Sequence, residues 1–276
     1  MNAFKQRCIA LRKQDYTLPE IVMKTGRPKG SVYFHIKDIP LSDKKRIEIG
    51  EANAQRAIKI AGARKGISAR PFKRFSMWNK NLVLLVAHLL FDGEISKTGC
   101  AYNNRSRPLV RRVENVMSEL YAYQPRRYFN RETGVERIAY HNVALAAFLK
   151  AKSVLLLQAV SRFPIDSQRM FLKAFFDDEG CVDFHPGRNR RRVRGYQKNK
   201  EVLLLVQTVL HHFGICATLQ GKNEVVIRGK ENLVQFQKEI NFSSGVRING
   251  KRSNSIWKES LEKREILQRA IDSFCT

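Results

Sequence analysis

Two stretches of the chain are apolar on nearly every side, 82–91 (LVLLVAHLLF) and 170–176 (MFLKAFF). A helix without a polar face is buried all round rather than laid on a surface, so each predicts a core helix. Residues 4–14 place Phe4, Cys8 and Leu11 at the spacing of one helix face. Thr17-x-x-Glu20 is a capping box that opens a second helix through Ile21, Val22 and Thr25. Gly26-Arg27-Pro28 turns the chain, and a third helix is predicted from about Lys29 to Lys37, with Val32 and Ile36 facing inward. Residues 43–75 are rich in Ala, Lys and Arg and read as a solvated helix followed by a basic linker. Arg64, Lys65, Arg70, Lys73 and Arg74 are placed there to touch phosphates, contacts that add affinity rather than specificity.

After the first apolar stretch the pattern predicts a strand over Ile95–Asn104, a helix over Leu109–Tyr121, and strands Pro125–Asn130 and Glu136–His141 about a Glu132-Thr133-Gly134 turn. A short helix, Val143–Ala151, follows. The same order then returns, with strands at Cys181–His185 and Arg191–Gln197, a helix over Val202–Phe213, strands Ala217–Gln220 and Glu224–Arg228, and a helix over Asn232–Ile240. A tail from Trp257 to Phe274 is expected to be helical. Finding one order twice implies an internal duplication with approximate two-fold symmetry.

Each apolar stretch ends in an acid followed by glycine, Asp92-Gly93 and Glu179-Gly180, and each has an alanine five residues before the acid, Ala87 and Ala174. A small residue there lets two helices approach closely. If they pack in parallel, the acids meet at two helix C-termini, where a carboxylate is disfavoured by roughly 0.3–1 kcal/mol and a second one adds repulsion. A local rule broken twice in the same way points to function, and a divalent cation such as Mg²⁺ or Mn²⁺ makes such a pair tolerable. Gly93 and Gly180 are expected to supply the left-handed residue that commonly ends a helix.

The stretches LVAHLLFDG (85–93) and LKAFFDDEG (172–180) resemble the paired motifs of the LAGLIDADG homing endonucleases, in the single-chain form that carries both copies. Asp92 and Glu179 fall on the motif's penultimate acidic position. At the earlier acidic position the first copy has Leu90 and the second keeps Asp177. The resemblance covers roughly residues 80–260 and implies an α+β fold of tandem pseudo-two-fold αββαββα repeats, the first over 76–160 and the second over 161–276. It implies a metal held at Asp92, Glu179, Gly93 and Gly180, with neighbouring Glu94 and Asp178 as assisting groups, the latter expected to face solvent. It also implies a basic residue near the acids, sought at Arg228 or Lys230 in the second half and at Arg137 or His141 in the first. Residues 1–42 resemble a small all-α helix-turn-helix module, whose last helix would offer Arg27, Lys29, Ser31 and Tyr33 to DNA bases.

Charge agrees with that picture. The 276 residues hold 51 Lys and Arg against 25 Asp and Glu, a net charge of +26 that calls for a polyanion, with nucleic acid first. The strands after each motif carry Tyr102, Asn104, Arg126, Arg127, Tyr128 and Arg137 in one half and Arg190, Arg192, Arg194, Tyr196, Gln197 and Lys198 in the other. A sheet face of that kind fits the major groove. Five cysteines without a CxxC pair argue against a disulfide framework and a thiolate zinc site. No apolar run is read as long as a membrane span, which takes about 18 residues, and the N-terminus has no signal-peptide core, so a cytoplasmic location beside the host DNA is expected. Met1-Asn2 and Cys275-Thr276 carry neither splicing nucleophile nor terminal His-Asn, so an intein is not expected. The expected activity is site-specific, metal-dependent cutting of double-stranded DNA by a monomer acting through its internal symmetry. A DNA-binding transcription regulator or an RNA maturase on the same fold is the alternative, and non-cutting relatives tend to lose the acids.

Overall fold

The computed structural model describes residues 3–64, 71–248, 250 and 256–274. Lys65 and Arg70, two of the expected phosphate contacts, lie outside the described residues. The chain divides into two units, residues 1–68 and 69–276.

In the first unit, helices α1 (Ala3–Lys13), α2 (Leu18–Thr25) and α3 (Lys29–Ile36) close on a small core of Cys8, Ile21, Val32 and Ile36. The Glu20 carboxylate accepts the Thr17 backbone N–H at 2.6 Å, which fixes the start of α2. Gly26 ends that helix in the left-handed region at φ 66°. Asp15 accepts both the backbone N–H of Ser42 at 2.8 Å and its hydroxyl at 2.5 Å, which closes the unit. Helix α4 (Asp43–Arg64) follows.

The second unit holds two copies of one seven-element order. The first is α5 (Lys80–Phe91), β1 (Gly93–Ile95), β2 (Cys100–Asn104), α6 (Arg107–Tyr121), β3 (Arg126–Asn130), β4 (Val135–Tyr140) and α7 (Val143–Ala159). The second is α8 (Ile165–Glu179), β5 (Gly180–His185), β6 (Arg190–Tyr196), α9 (Lys200–His212), β7 (Ala217–Gln220), β8 (Glu224–Arg228) and α10 (Lys230–Glu239). Their antiparallel sheets have matching orders, β1-β2-β4-β3 and β5-β6-β8-β7. The expected αββαββα duplication is thus present, with the first two strands of each half folded as a hairpin. In the first half, Ile95–Asn104 is two strands rather than one, because the Ser96 N–H turns back to the Gly99 carbonyl at 2.9 Å.

Helices α5 and α8 form the centre. Asn79 caps α5 by accepting the Leu82 N–H at 2.8 Å, and every residue from Leu82 to Leu89 is buried. Ala87 and Ala174 are fully buried, as the close approach of the two helices requires. Phe91 packs on Phe171 and Phe175 with ring centroids 5.6 and 5.1 Å away. Each such side chain contributes about 1.5–3 kcal/mol on burial, enough to hold the helix ends together against the repulsion of the acids they carry.

Two expectations change. The tail is helical only from Lys263 to Asp272 (α11), since Ile248 and Leu261 pair backbone to backbone at 2.9 Å and keep the approach to the helix extended. The stretch Val143–Arg162 has the length and mean hydropathy, 1.7, of a membrane span, although Lys150 and Lys152 break the apolar run in sequence. Here α7 is a core helix that buries Leu145, Leu149 and Leu156, and the Lys152 ammonium lies 4.7 Å from the Trp78 ring centroid.

Candidate active site

Each central helix passes into a strand without a loop. Asp92 closes α5 at φ −106° and ψ 6°, and Glu179 is the last residue of α8. The following glycines are not left-handed. Gly180 is extended at φ −89° and ψ 153°, and Gly93 is absent from the positive-φ glycines. Glycine is needed there for space. A Cβ on Gly93 would lie 2.6 Å from the Leu89 carbonyl oxygen, and one on Gly180 would overlap the Phe176 carbonyl oxygen. The helix end and the departing strand are folded too closely for any side chain.

Burial and neighbouring carboxylates raise both acids. Burial, and then the charge of Asp178, raises the Asp92 carboxyl to about 7. Burial, and then Asp92 and Asp178, raises Glu179 to about 7 as well. Lys263 opposes both shifts. Its ammonium, supplied by the start of α11, donates to the Asp177 carbonyl oxygen at 2.8 Å, and burial lowers its own pKa. Asp92 Oδ2 accepts from Asn104 Nδ2 at 2.7 Å. Among the described residues no side chain donates to Glu179.

The neighbouring acids have other duties. Asp178 does not face solvent: its side chain is fully buried, 2.8 Å from His88 Nδ1 and 2.6 Å from the Tyr102 hydroxyl. Asp177 is buried too, and accepts from Arg112 Nη1 at 2.7 Å, the Ser243 hydroxyl at 2.5 Å and the Ser243 N–H at 2.8 Å. It pins the loop after α10 to the first repeat. Glu94 is exposed and pairs with Arg137 at 3.0 Å.

The acids stand in a cleft of about 1790 Å³ that both repeats line. Strand register decides which sheet residues face it, because partners across a ladder share a face and neighbours along a strand alternate. On β6, Arg190, Arg192, Arg194 and Tyr196 alternate with buried Val193 and with Gly195, and all four line the cleft. Arg194 pairs with Glu224 at 2.8 Å and Arg192 with Asp183 at 2.7 Å. Gln197 and Lys198 lie past the end of the strand and outside the cleft wall.

In the first sheet, Arg126, Tyr128 and Arg137 share the open face, whereas Arg127 lies opposite buried Ile138 and pairs with Glu114 and Glu136 on the helix side. Tyr102 shares that inner face and is fully exposed to no solvent at all, so it is no DNA contact. Asn104 does line the cleft. Arg228 shares the sheet face of Arg192 and Lys230 opens α10, but neither is among the residues that line the cleft around the acids. His141 is exposed after β4. The cation at the acids is Lys263, and Arg105 and Arg107 add charge to the rim. No local signal marks Lys263, whose approach depends on a fold-back of more than 80 residues. In the first unit, Arg27, Lys29, Ser31 and Tyr33 are all exposed along α3 and its entry.

Among the described residues no three His, Cys, Asp or Glu side chains form a set that could hold a metal. The donors at hand are two half-buried carboxylates, one of them without a hydrogen-bond donor. Hard oxygen donors of that kind suit Mg²⁺ or Mn²⁺, which keep several waters and complete their shell with a phosphate. Gly93 and Gly180 contribute room rather than side-chain ligands.

Residues 166–241, from the first turn of α8 past the end of α10, match the family model of the LAGLIDADG-like domain. The second repeat is therefore a LAGLIDADG domain, and the first repeats its element order and sheet order. The match lies within the second repeat and does not extend to the first. Comparison with curated proteins gives no match. Among solved structures, a variant of I-DmoI in complex with its target DNA in the presence of manganese is similar over 60% of this chain and 96% of its own, at 16% identity and a TM-score of 0.46. The N-terminal LAGLIDADG domain of DUF199/WhiA is similar over 63% and 88%, at 16% identity and a TM-score of 0.45.

Proposed function

We infer that this chain is a metal-dependent endonuclease that cuts both strands of DNA at a long, approximately two-fold site. The observation that carries the reading is the acid pair. Two carboxylates from two repeats are held together at helix ends, against their own repulsion, in a cleft whose floor is lined with arginine. Like charges kept at that cost are kept for a cation.

Asp92 and Glu179 would hold Mg²⁺ or Mn²⁺, which lowers the pKa of a bound water and neutralises charge on the phosphate oxygens. The chain's own part is to bind and orient. Arg190, Arg192, Arg194, Arg126 and Arg137 hold the duplex backbone and base edges. Asn104 fixes the Asp92 carboxylate, and Lys263 opposes the excess negative charge. With both half-site surfaces on one chain, a monomer suffices, located wherever its target DNA lies. The exposed face of α3 reads as a helix-turn-helix surface that contacts flanking DNA and lengthens the site.

The test is a cleavage assay on DNA spanning the gene's uninterrupted insertion locus, with Mg²⁺ and with EDTA, for the wild type, Asp92→Asn and Glu179→Gln. The expected result is metal-dependent cutting of both strands at one place by the wild type, and salt-sensitive binding without cutting by the variants. Binding without cutting by the wild type would replace this reading with a DNA-binding regulator. Cutting by both variants would remove the acids from the reaction.

A further inference from the structure

Three polar side chains that the cutting reaction does not itself use are sealed from solvent where the repeats join. They are His88 and Tyr102 of the first repeat and Asp178 of the second. A buried polar cluster is tolerated when its members satisfy one another, and from Asn104 to Asp178 the hydrogens can be placed without choice, while His88 Nε2 finds no partner among the described residues. Asn104 Oδ1 accepts the Ser106 backbone N–H at 2.8 Å, which turns its amide nitrogen the other way. One N–H of that nitrogen reaches Asp92 Oδ2 at 2.7 Å and the other reaches the Tyr102 oxygen at 3.1 Å. Tyr102 therefore gives its own proton to Asp178 Oδ1 at 2.6 Å, and His88 Nδ1 sits 2.8 Å from the second oxygen of Asp178.

The matching positions of the other repeat hold none of this. Tyr102 lies opposite Gly93, and Gly195 lies opposite Gly180. Counted along the two motifs, His88 corresponds to Phe175 and Asp178 to Phe91. One side of the pseudo-two-fold is thus a polar chain. The other is an aromatic cluster, in which Phe91 and Phe175 pack 5.1 Å apart and the Phe175 ring fills the place of a Cβ on Gly195. Gln197, the counterpart of Asn104, accepts from the Asn199 N–H and does not reach Glu179.

We propose that Asp178, Tyr102 and Asn104 form a positioning relay between the repeats that fixes the Asp92 carboxylate for metal, so that the two acids are held unequally. Asp92 is ready before metal arrives, and Glu179, on its longer side chain, orders only when it binds. The idea rests on the reading of both acids as metal-holding groups, but not on cleavage.

The experiment is an electron paramagnetic resonance titration of Mn²⁺ into the full-length chain without DNA. The wild type is expected to show a tighter and a weaker class of bound ion, with Glu179→Gln losing the weaker one. Tyr102→Phe, which keeps the ring, and Asn104→Ala, at a half-exposed position, each weaken the tighter class about tenfold, the usual effect of removing an outer-shell partner. The double variant is no weaker than Asn104→Ala alone, as members of one chain of contacts require. Asp178→Ala weakens the tighter class too, and Asp178→Asn, which can accept from Tyr102 and donate to His88, restores part of the loss. Variants that titrate like the wild type overturn the relay, as does a single class that Glu179→Gln and Tyr102→Phe weaken alike, or a wild type that binds no Mn²⁺. A chain that binds in the expected way yet does not cut DNA keeps the relay and loses the nuclease reading.

Discussion

Arg192 and Arg228 stand directly opposite each other across β6 and β8, both holding the single side-chain oxygen of Gln220, at 3.1 and 2.6 Å. Two like charges in register on a sheet destabilise it by up to about 1 kcal/mol. Asp183 offsets part of that cost at Arg192, and under the proposed function a polyanion lying on that face would remove the rest.

Replacing Arg192 by Ala is expected to weaken DNA binding and to reduce the slope of log affinity against log salt by about 1, the value for one lost phosphate contact. Arg127→Ala is the control, since Arg127 is committed to Glu114 and Glu136 on the other side of its sheet. A filter-binding series from low to high salt reads both. Equal losses in the two variants would contradict the register.

Stability should fall as pH rises from about 4 to about 7 when metal is absent. Asp92 and Glu179 sit at about 7 in the folded chain against ordinary values of 3.8 and 4.5. Between those limits the folded chain holds protons that the unfolded chain has released. Their stabilising effect is complete below about pH 4 and gone above about pH 7. Asp92→Asn and Glu179→Gln are therefore expected to flatten the slope of Tm against pH. At pH 8 in EDTA each should raise Tm by about 3 °C, the response of a chain this size to roughly 1 kcal/mol. Calorimetry across that window checks the sign.

Lys263→Met keeps the length of the side chain and removes its charge. The Lys263 ammonium draws both acids downward, so its loss is expected to move the midpoint of Mn²⁺ binding to higher pH, with Lys263→Arg nearer the wild type. An unmoved midpoint would mean that the cation only ties α11 to the Asp177 carbonyl.

The glycines after the acids should resist substitution for a steric reason. Gly180→Ala overlaps the Phe176 carbonyl oxygen and is expected to cost about 1–3 kcal/mol, the range for overpacking. Gly26→Ala meets open space and carries only the strain of φ +66°, about 1 kcal/mol. Urea melts of the two variants separate the causes.

The duplication, the helix ends and the arginine strand could be read from the chain because each is a local pattern. What escaped depends on contacts distant in sequence or on strand parity. Tyr102 reads as an outer-face residue among the polar side chains of its strand; the turn at Ser96–Gly99 sets the register that points it inward. Asp177, Asp178 and Glu179 are consecutive acids whose three fates are decided by Arg112, His88 and the cleft, none of them near in sequence. The glycines fit the common helix-ending rule in identity but not in conformation, because a strand rather than a loop follows each helix. Lys263 arrives from a segment outside the duplicated pattern, and nothing in its own neighbourhood announces it.

Asp177 breaks the symmetry of the two repeats. Its counterpart in the first motif is Leu90, and it binds both Arg112 of the first repeat and Ser243 just past the second. A chain made of two second repeats would bury two such carboxylates without an Arg112 for either, and one made of two first repeats would carry Arg112 with Leu90 in place of the acid. The exchange makes the two halves left and right pieces of one body: they share an order of elements, but neither can stand in for the other.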